Sequence, residues 1–599
     1  MRVLVALLLM TGALAGCTDA GDAAEASTDA PKPQKAVFSP AVPVPDDPDV
    51  EWDFTGPYSN VLVPGELDIL PPQEVFIQSE LDGADIKMGL HLPDTDEPVP
   101  VLVFASPYFG FTMSGQDVTG RGGSFGSLVS NFVPHGYAVV GLAVRGTGDS
   151  GGCNDLMGPQ ETADLDQAIT WLGTQGWSNG NVAMTGVSYD GSTPWGVASV
   201  GNPHLKTIIP ISGVPDMYSL MYRNGSSETR GPVVLNALYY GGNIASNTAS
   251  QEHIAERVLC PDAALGLGFS VGSGVTGAHD PIGWWQERDR KPGVNSNYQG
   301  SVFSIQGLQD WNVDPSQVIP WVDELEKEHG LKTKQLLGQW GHSWPDSIGP
   351  DGQRAGPMRA DWKEVLLRWM DSELKGEDVD TGPPVQVRDH IGRWRNELDY
   401  PPSDANWTTW HLGSGGELAL EPGARESVTL RPVLMEGLSI PSGAVDFAND
   451  FVDFTLPKAD GDLLVAGLPK VHISVTPMGP GGYIGAYVYD RAPNGDMTRV
   501  GWTTMNLAFA DGSETRTEVI PGQTIQAKLE IQPMDAAILE GNELVLRLWV
   551  YTDADRLPTL PPAPVTLEIG QGVESVLKLP TVERDESYYF EPPTPFEDE

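Results

Sequence analysis

The stretch that decides the fold reads Val182-Ala183-Met184-Thr185-Gly186-Val187-Ser188-Tyr189-Asp190-Gly191. Its apolar start predicts a strand, and the following stretch from Thr193 to Val200 is compatible with a helix. A serine on a tight turn between a strand and a helix sits on strained backbone at the carboxyl edge of a sheet, with its hydroxyl exposed. Gly186 and Gly191 let the strand and the helix pass closely. We therefore predict that Ser188 is a nucleophile, although the second glycine follows it by three residues rather than two.

Strand and helix patterns alternate on both sides of this turn, from about Glu74 to Leu374. Apolar, β-rich runs occur at Val101–Ser106, Ala138–Val144, Val182–Gly186, Thr207–Ile211 and Val302–Gly307, with a weaker one around Leu336–Leu337. Helical periodicity occurs at Asp164–Leu172, Ser316–His329 and Met358–Lys375. This alternation predicts a mostly parallel sheet with helices on both faces.

The stretch from about residue 215 to residue 292 interrupts the alternation. It lacks a clear strand and is rich in Gly, Asn and Ser, with the aromatic residues Tyr218, Tyr222, Tyr239, Tyr240, Trp284 and Trp285. Because it lies between two predicted strands of the sheet, we expect an inserted cap over the active site. A disordered insertion is the alternative, and so many aromatic residues disfavour it.

Helical patterns stop after about Pro383. Short alternating strands follow, separated by turn residues: Phe451–Leu456, Lys470–Pro477, Tyr483–Tyr489, Gln526–Ile531 and Glu543–Tyr551. This pattern predicts an all-β sandwich of about 200 residues. We therefore divide the chain into a catalytic domain over residues 61–378 and a β-sandwich over residues 379–599.

The N-terminus predicts export. Arg2 precedes the apolar run Val3–Ala13, which is too short to span a bilayer and is typical of a secretory signal. The following Leu14-Ala15-Gly16-Cys17 resembles the end of a bacterial lipoprotein signal, in which Cys17 becomes the lipidated first residue. A plain signal peptide with an incidental cysteine is the alternative. We expect a protein anchored by lipid to the bacterial envelope, with residues 18–60 as a flexible linker.

The composition bears on which partners the protein binds and on whether its cysteines are oxidised. The chain has 599 residues with 36 Lys and Arg against 81 Asp and Glu, a formal net charge of −45. Such a surface repels nucleic acid and anionic membrane faces, so we expect no nucleic-acid partner and contact with a membrane only through the lipid anchor at Cys17. With Cys17 lipidated, Cys153 and Cys260 remain, and in an oxidising compartment such a pair suggests one disulfide. Two buried thiols are the alternative.

A nucleophilic serine needs a base, and in folds with such a turn the acid and the histidine follow the serine in the chain. Three histidines lie between the cap and the β-sandwich core: His329, His342 and His390. His342 lies just after a short strand, where the catalytic loop belongs. His329 ends an amphipathic helix, and His390 opens the β-rich region. We therefore predict His342 as the base.

The acid is expected at the end of the preceding strand, Val302–Gly307. Asp310 follows that strand and would orient the imidazole of His342 and stabilise its protonated form. The rival carboxylate, Asp314, stands directly before Pro315 and is interpreted as a helix N-cap. We expect the oxyanion hole to use the backbone N–H of Tyr189 and a second donor after Val101–Ser106, where Tyr108 offers a phenol. A packing role is the alternative for Tyr108.

Together these residues resemble the X-Pro dipeptidyl-peptidase and cocaine-esterase family of serine hydrolases. The matching motifs are Pro107-Tyr108, Arg145-Gly146-Thr147-Gly148-Asp149-Ser150-Gly151-Gly152, Gly186-Val187-Ser188-Tyr189-Asp190-Gly191, Trp285-Gln286-Glu287-Arg288-Asp289, Gly307-Leu308-Gln309-Asp310 and Gly341-His342-Ser343. The resemblance runs from about residue 74 to the C-terminus. It implies an α/β-hydrolase domain, a helical cap and a C-terminal jelly roll, with Tyr108 as an oxyanion donor.

Two stretches of the sequence bear on whether the substrate is a peptide or an ester. The stretch Lys206–Gly213 followed by Tyr222-Arg223-Asn224-Gly225 is similar to the peptidase side of the family. Relatives that hydrolyse α-amino acid esters carry extra acidic residues after the catalytic Asp, whereas Trp311-Asn312-Val313 follow Asp310 here. We favour a serine hydrolase that removes an N-terminal dipeptide ending in proline, and a carboxylesterase or acylase is the alternative enzyme. A non-catalytic glycan-binding protein is a further alternative, which an intact set of three predicted catalytic residues disfavours.

A dipeptidyl-peptidase must hold the free ammonium of its peptide and the ring of its proline. Candidates for the ammonium are Asp216, Tyr218, Tyr222 and Glu228, and candidates for the apolar pocket are Trp284, Trp285, Tyr239 and Tyr240. The alternative is that these residues only build the core of the cap. No His-Glu-x-x-His, Cys-x-x-Cys or phosphate-loop motif occurs, so we expect no metal or organic cofactor.

Overall fold

The computed structural model describes residues 65–111, 116–225, 227–228, 246, 248–260, 283–345, 359, 361–431, 451–458, 461–512, 516–550, 556–557 and 563–592. Cys17, the predicted linker, Tyr239 and Tyr240 lie outside these ranges, as does the side chain of Glu228. None of the helices in the described ranges is long and apolar enough to cross a membrane.

The first part of the chain alternates strands and helices. Its strands are β1 (Gln73–Gln78), β2 (Asp85–His91), β3 (Val99–Ser106), β4 (Ala138–Ala143), β5 (Ser178–Val187), β6 (Leu205–Ile211), β7 (Ser227–Glu228), β8 (Ser301–Gly307), β9 (Thr333–Gly338), β10 (Val385–Arg388) and β11 (Trp394–Glu397). Its α-helices are α1 (Gly123–Phe132), α2 (Pro159–Gly173), α3 (Tyr189–Val200), α4 (Met217–Met221), α5 (Gln251–Val258), α6 (Lys291–Asn297), α7 (Pro315–Lys327) and α8 (Trp362–Met370), the last prolonged by a π-helical turn, Asp371–Lys375.

The second part is built from strands. They are β12 (Asn406–Gly413), β13 (Glu417–Ala419), β14 (Glu426–Leu430), β15 (Phe451–Thr455), β16 (Leu463–Gly467), β17 (Lys470–Pro477), β18 (Tyr483–Arg491), β19 (Met497–Asn506), β20 (Ile525–Glu530), β21 (Met534–Ile538), β22 (Glu543–Trp549), β23 (Arg556–Leu557), β24 (Val565–Ile569), β25 (Val576–Val582) and β26 (Tyr589–Phe590). Apolar residues on their inner faces form one core, which includes Ile473, Val488 and Leu546.

The catalytic sheet has the strand order β1-β2-β4-β3-β5-β6-β8-β9-β10-β11-β26. From β4 to β10 all neighbouring strands are parallel, and the strands at both ends pair antiparallel. Every residue of β3 is buried because helices cover both faces. Leu102 and Phe104 pack into the core that α1 and α8 close, whereas Val101 and Val103 pack into the core of α2, α3 and α7.

The predicted fold class is confirmed: a mostly parallel α/β-hydrolase sheet with inserted helices precedes an all-β domain. The sheets do not divide at residue 378, the predicted boundary. The strands β10, β11 and β26 lie beyond it in sequence and extend the catalytic sheet. Alternating residues predict that a segment is a strand, but they do not specify which sheet it joins.

Candidate active site

Ser188 occupies the turn between β5 and α3. Its backbone has φ 68° and ψ −124°, a conformation that costs a non-glycine residue roughly 1–3 kcal/mol. Its N–H donates to the carbonyl of Ile211 on the neighbouring strand β6 at 3.0 Å. A Cβ atom on Gly191 would lie 2.5 Å from that same carbonyl oxygen, which explains why the first turn of α3 requires glycine there. The helix begins at Tyr189, earlier than the sequence pattern suggested.

Asp310 and His342 lie in the loops that follow β8 and β9, at the same edge of the sheet as Ser188. The Nδ1 of His342 lies 2.9 Å from Oδ2 of Asp310, whose side chain is fully buried. The other carboxylate oxygen, Oδ1, accepts the backbone N–H groups of Asn312 and Val313, both at 2.9 Å. The carboxylate is therefore fixed by its own loop and oriented toward the imidazole.

This hydrogen bond determines which nitrogen of His342 can act as a base. An ionised carboxylate only accepts, so Nδ1 carries the proton and Nε2 keeps the lone pair. The Nε2 atom is buried and has no hydrogen-bond partner within the described residues. An imidazole in this state can take a proton from a serine hydroxyl.

The rival residues have other partners. Asp314 stands at the N-cap position of α7, as predicted, but its side chain makes no capping hydrogen bond. It instead forms a buried ion pair with Arg223, which corrects the capping interpretation. His390 contacts Asp490 at 2.9 Å, and His329 lies 3.9 Å from Glu324.

The predicted oxyanion donors lie on two loops. Tyr108 follows β3, is half-buried and donates its backbone N–H to Oγ of Ser106 at 3.0 Å. Tyr189 is the first residue of α3, where backbone N–H groups have no partner within the helix and favour negative charge. Its phenol is buried and donates to Oε2 of Glu161 at 2.6 Å.

A group of apolar residues, here called the site cluster, packs beside the nucleophile. Its buried members are Leu156, Tyr189, Val214, Met217, Tyr218, Leu220, Met221, Tyr222, Trp285 and Val313, and its half-buried members are Tyr108, Met157 and Trp284. Tyr218, Tyr222 and Trp285 contact one another with ring centroids 5.2 to 6.0 Å apart. These three predicted pocket residues thus form the interior of the cluster, and Trp284 packs against them and is half-buried.

Asp216 has a local structural role. It is the N-cap of α4, accepts the backbone N–H of Tyr218 at 3.0 Å and also binds the hydroxyl of Ser219. A carboxylate whose oxygens cap a helix is poorly placed to hold a substrate ammonium, which argues against the predicted role of Asp216.

Two carboxyl groups near the nucleophile were not anticipated from the sequence. Burial raises the pKa of Glu161 to about 8, and the nearby Asp155 carboxylate adds to the effect. Burial also holds the pKa of Asp190 well above its usual range. Glu161 occurs in the first turn of α2, where an acidic residue is ordinary at a solvated helix start, so the sequence carries no signal of its burial.

Cys153 and Cys260 form a disulfide with a Cα–Cα separation of 5.6 Å. The bridge connects the loop after β4 to the residues after α5. Next to it, Arg257 donates to the carbonyls of Gly148 and Ser150 at 2.9 and 2.8 Å. Within the described residues, no group of three or more His, Cys, Asp or Glu side chains is arranged to hold a metal ion.

Comparison with known proteins agrees with this geometry. Residues 82–344 match the family model of the X-Pro dipeptidyl-peptidase (S15 family), and residues 377–561 match its C-terminal non-catalytic domain. A Streptomyces avermitilis protein assigned as an Xaa-Pro dipeptidyl-peptidase is 28% identical over 70% of this chain and 64% of its own length. A cocaine esterase from Rhodococcus sp. is 27% identical over 56% of this chain and 61% of its own length.

A solved aminopeptidase structure from the marine sediment archaeon Thaumarchaeota archaeon covers 90% of this chain and 99% of its own, with a TM-score of 0.69 and 17% identity, and it shares the fold. The chain spans just under two thirds of the length of the Streptomyces protein. The motif order, the two adjoining family matches and the shared fold agree, and the chain belongs to the X-Pro dipeptidyl-peptidase and cocaine-esterase family of serine hydrolases.

Proposed function

We propose that this protein is an exported hydrolase that cleaves acyl bonds through a covalent acyl-Ser188 intermediate and prefers peptides with proline in the second position. The observation that carries the proposal is the hydrogen bond of 2.9 Å between Nδ1 of His342 and Asp310. It leaves the lone pair of Nε2 available for a serine proton.

The proposed reaction has two acyl transfers. His342 takes the proton of the Ser188 hydroxyl as Oγ attacks the substrate carbonyl, and the resulting oxyanion accepts from the Tyr108 phenol and the Tyr189 N–H. His342 then protonates the leaving amine or alcohol, and the acyl group stays on Ser188. Water, deprotonated by His342, attacks the acyl-enzyme, and His342 returns that proton to Oγ of Ser188 as the acid leaves.

Two observations bear on the leaving group. Both family models carry the X-Pro dipeptidyl-peptidase description, which favours a peptide substrate. The commitment of Asp216 to the N-terminus of α4 removes one candidate for the ammonium site and favours the esterase alternative. The site cluster offers an apolar surface suited to a prolyl or an aromatic ring in either case.

A matched pair of substrates separates the two activities. A Gly-Pro anilide with a free amine and the same compound acetylated present the same scissile bond and the same proline. A dipeptidyl-peptidase strongly prefers the free amine because its site must pair the buried ammonium. Equal or faster cleavage of the acetylated anilide, or of a plain aryl ester, would show that the esterase alternative is correct.

Export and anchoring form a separate part of the proposal. The support is the sequence from Arg2 to Cys17 and the Cys153–Cys260 disulfide, which is typical of oxidising compartments. Mass spectrometry of the mature protein is expected to find an acylated Cys17 as its first residue. An unmodified N-terminus at another residue would refute the anchor and leave the proposed hydrolase activity unaffected.

A further inference from the structure

The loop formed by residues 153–158, here called the Met157 loop, has an unusual backbone. Leu156 and Met157 are consecutive non-glycine residues in the left-handed region, with φ 53° and 56°. Such conformations persist only where the surroundings hold them in place, and they concentrate at functional sites. One end of the loop is fixed by the disulfide at Cys153, and the other end leads into α2.

Arginine side chains from the inserted segment hold the carbonyls of this loop. Arg288 donates to the carbonyls of Asp155 and Leu156 at 2.5 and 3.0 Å. Arg290 donates to the next two carbonyls, those of Met157 and Gly158. Four consecutive carbonyls are thus bound by two guanidinium groups, so the strained conformation is imposed from the cap side.

A hydrogen-bond chain connects the same loop to the residue after the nucleophile. The backbone N–H of Met157 donates to the hydroxyl of Tyr189 at 2.8 Å. That hydroxyl donates in turn to Oε2 of Glu161 at 2.6 Å. Glu161 therefore fixes the Tyr189 phenol, which fixes the backbone at Met157.

The side chain of Met157 packs against the site cluster and is half-buried. Only Tyr108, Met157 and Trp284 among the cluster residues are half-buried, and the others are buried. Tyr189 and Tyr108, which come from the elbow and from the predicted oxyanion loop, belong to the same cluster as Met157. The guanidinium of Arg288 lies 3.7 Å from the Trp284 ring centroid and thus connects Trp284 to the Met157 loop.

We propose that Met157 is a specificity-determining residue that contacts an apolar ring on the acyl side of the substrate, and that Glu161 is its positioning residue, acting through Tyr189. The inference rests on the proposed acyl transfer at Ser188. A thioether adapts its shape and contacts ring edges favourably, and Trp284 and Tyr108 provide flat apolar surfaces beside it. The expected preference is for acyl groups that carry a prolyl or phenyl ring over small acyl groups.

The protonation of Glu161 gives this arrangement a pH dependence. The charged or titratable groups that face Glu161 are Asp155, Tyr189, Arg290 and, at longer range, Asp190. Asp155 accepts the backbone N–H groups of Gln160 and Glu161, at the end of the Met157 loop. Ionisation of Glu161 places a second negative charge beside Asp155, so ring selectivity falls as the pH rises through about 8.

The test compares kcat/KM for p-nitrophenyl benzoate and p-nitrophenyl acetate in the full-length enzyme and its variants. Met157→Ala is expected to lower the benzoate-to-acetate ratio by about tenfold or more, whereas Met157→Leu, which keeps the volume, lowers it far less. Glu161→Ala and Tyr189→Phe are expected to lower the same ratio. Glu161→Gln is expected to keep the ratio of the wild type below pH 8 and to lose its pH dependence.

A double variant distinguishes positioning from a general structural role. If Glu161 acts through Met157, Glu161→Ala added to Met157→Ala lowers the ratio no further than Met157→Ala alone. Additive losses would overturn the positioning role, and an unchanged ratio in Met157→Ala would overturn the specificity role. Labelling by a fluorophosphonate monitors the proposed function separately: a wild type that is neither labelled nor active would refute acyl transfer itself.

Discussion

The structure predicts opposite consequences for two aspartates that lie four positions apart, Asp310 and Asp314. In Asp310→Asn the amide oxygen must take the position of Oδ1, because that position accepts hydrogen bonds from two backbone N–H groups. The amide NH₂ then faces Nδ1 of His342, which can only accept from it. The imidazole proton moves to Nε2, the base is lost, and kcat is expected to fall by roughly 10⁴.

Asp314→Asn acts on stability instead. Asp314 and Arg223 are 1% and 7% exposed, and they form an ion pair beneath the cap, with the guanidinium 4.2 Å from the Trp502 ring centroid. Asp314→Asn removes this ion pair from a buried guanidinium, and breaking a buried ion pair costs about 3–5 kcal/mol. We expect the thermal midpoint to fall by about 6–10 °C, because a domain of this size loses roughly 2 °C per kcal/mol.

The assay measures both quantities on both variants. Thermal midpoints are followed by circular dichroism, and kcat is measured per mole of folded protein at 20 °C, with each melting curve used to check that the variant is folded at that temperature. The expected pattern is crossed: Asp310→Asn is inactive with a nearly unchanged midpoint, and Asp314→Asn is active with a lowered midpoint. A 10⁴-fold loss of kcat in Asp314→Asn alone would refute the choice of the acid, since that magnitude belongs to the triad carboxylate.

Three further predictions concern single groups. Ser188→Ala is expected to lower turnover by several orders of magnitude and to abolish fluorophosphonate labelling, and equal labelling of the variant would contradict the nucleophile assignment. Thiol titration of the unreduced, unfolded mature protein is expected to find Cys153 and Cys260 unreactive, whereas two free thiols from this pair would exclude the bridge. Because its pKa rises to about 8 on folding, Glu161 is expected to lower stability as the pH increases from about 4.5 to 8, by at most about 5 kcal/mol. Denaturation of Glu161→Gln at several pH values checks this, and an equally steep pH dependence in the variant would contradict it.

The elements around the catalytic residues could be predicted because buried parallel strands have a simple sequence pattern. β3 and β8 are buried along their whole length, so they read as continuous apolar runs, and the catalytic loops follow such runs. Strand ends and motif order therefore predict Ser188, Asp310 and His342 as the catalytic residues. His342 contacts Asp310 because β8 and β9 are parallel neighbours, so the loops that follow them lie side by side. The order of the two strands in the chain also favours this pairing.

The substrate side could not be predicted in the same way. Whether a carboxylate faces a ligand or its own backbone depends on local turns. Asp216 caps a helix and Asp314 forms a buried ion pair, and the sequence does not distinguish these two roles. Glu161 looks like an ordinary acid in the first turn of a helix, but in the fold it is buried and accepts a hydrogen bond from the Tyr189 hydroxyl. These roles arise from contacts between distant segments, for which a single sequence carries no periodic signal.

The β-sandwich contacts the inserted segment and the Arg223–Asp314 ion pair, although its family model describes a non-catalytic domain. Strand β19 supports the inserted segment through Asn224, which donates to the carbonyl of Thr504 at 3.0 Å, and through Asn506, which donates to the carbonyl of Gly225 at 3.1 Å. The same strand supplies Trp502, against which Arg223 is stacked as it binds Asp314. Asp314 is the N-cap residue of helix α7 and lies four residues after Asp310, the predicted acid, so packing in the second domain restrains the chain just after the loop that contacts His342. Because this restraint crosses the boundary between the domains, removal of the β-sandwich would leave Arg223 without its aromatic partner and the acid loop without its support.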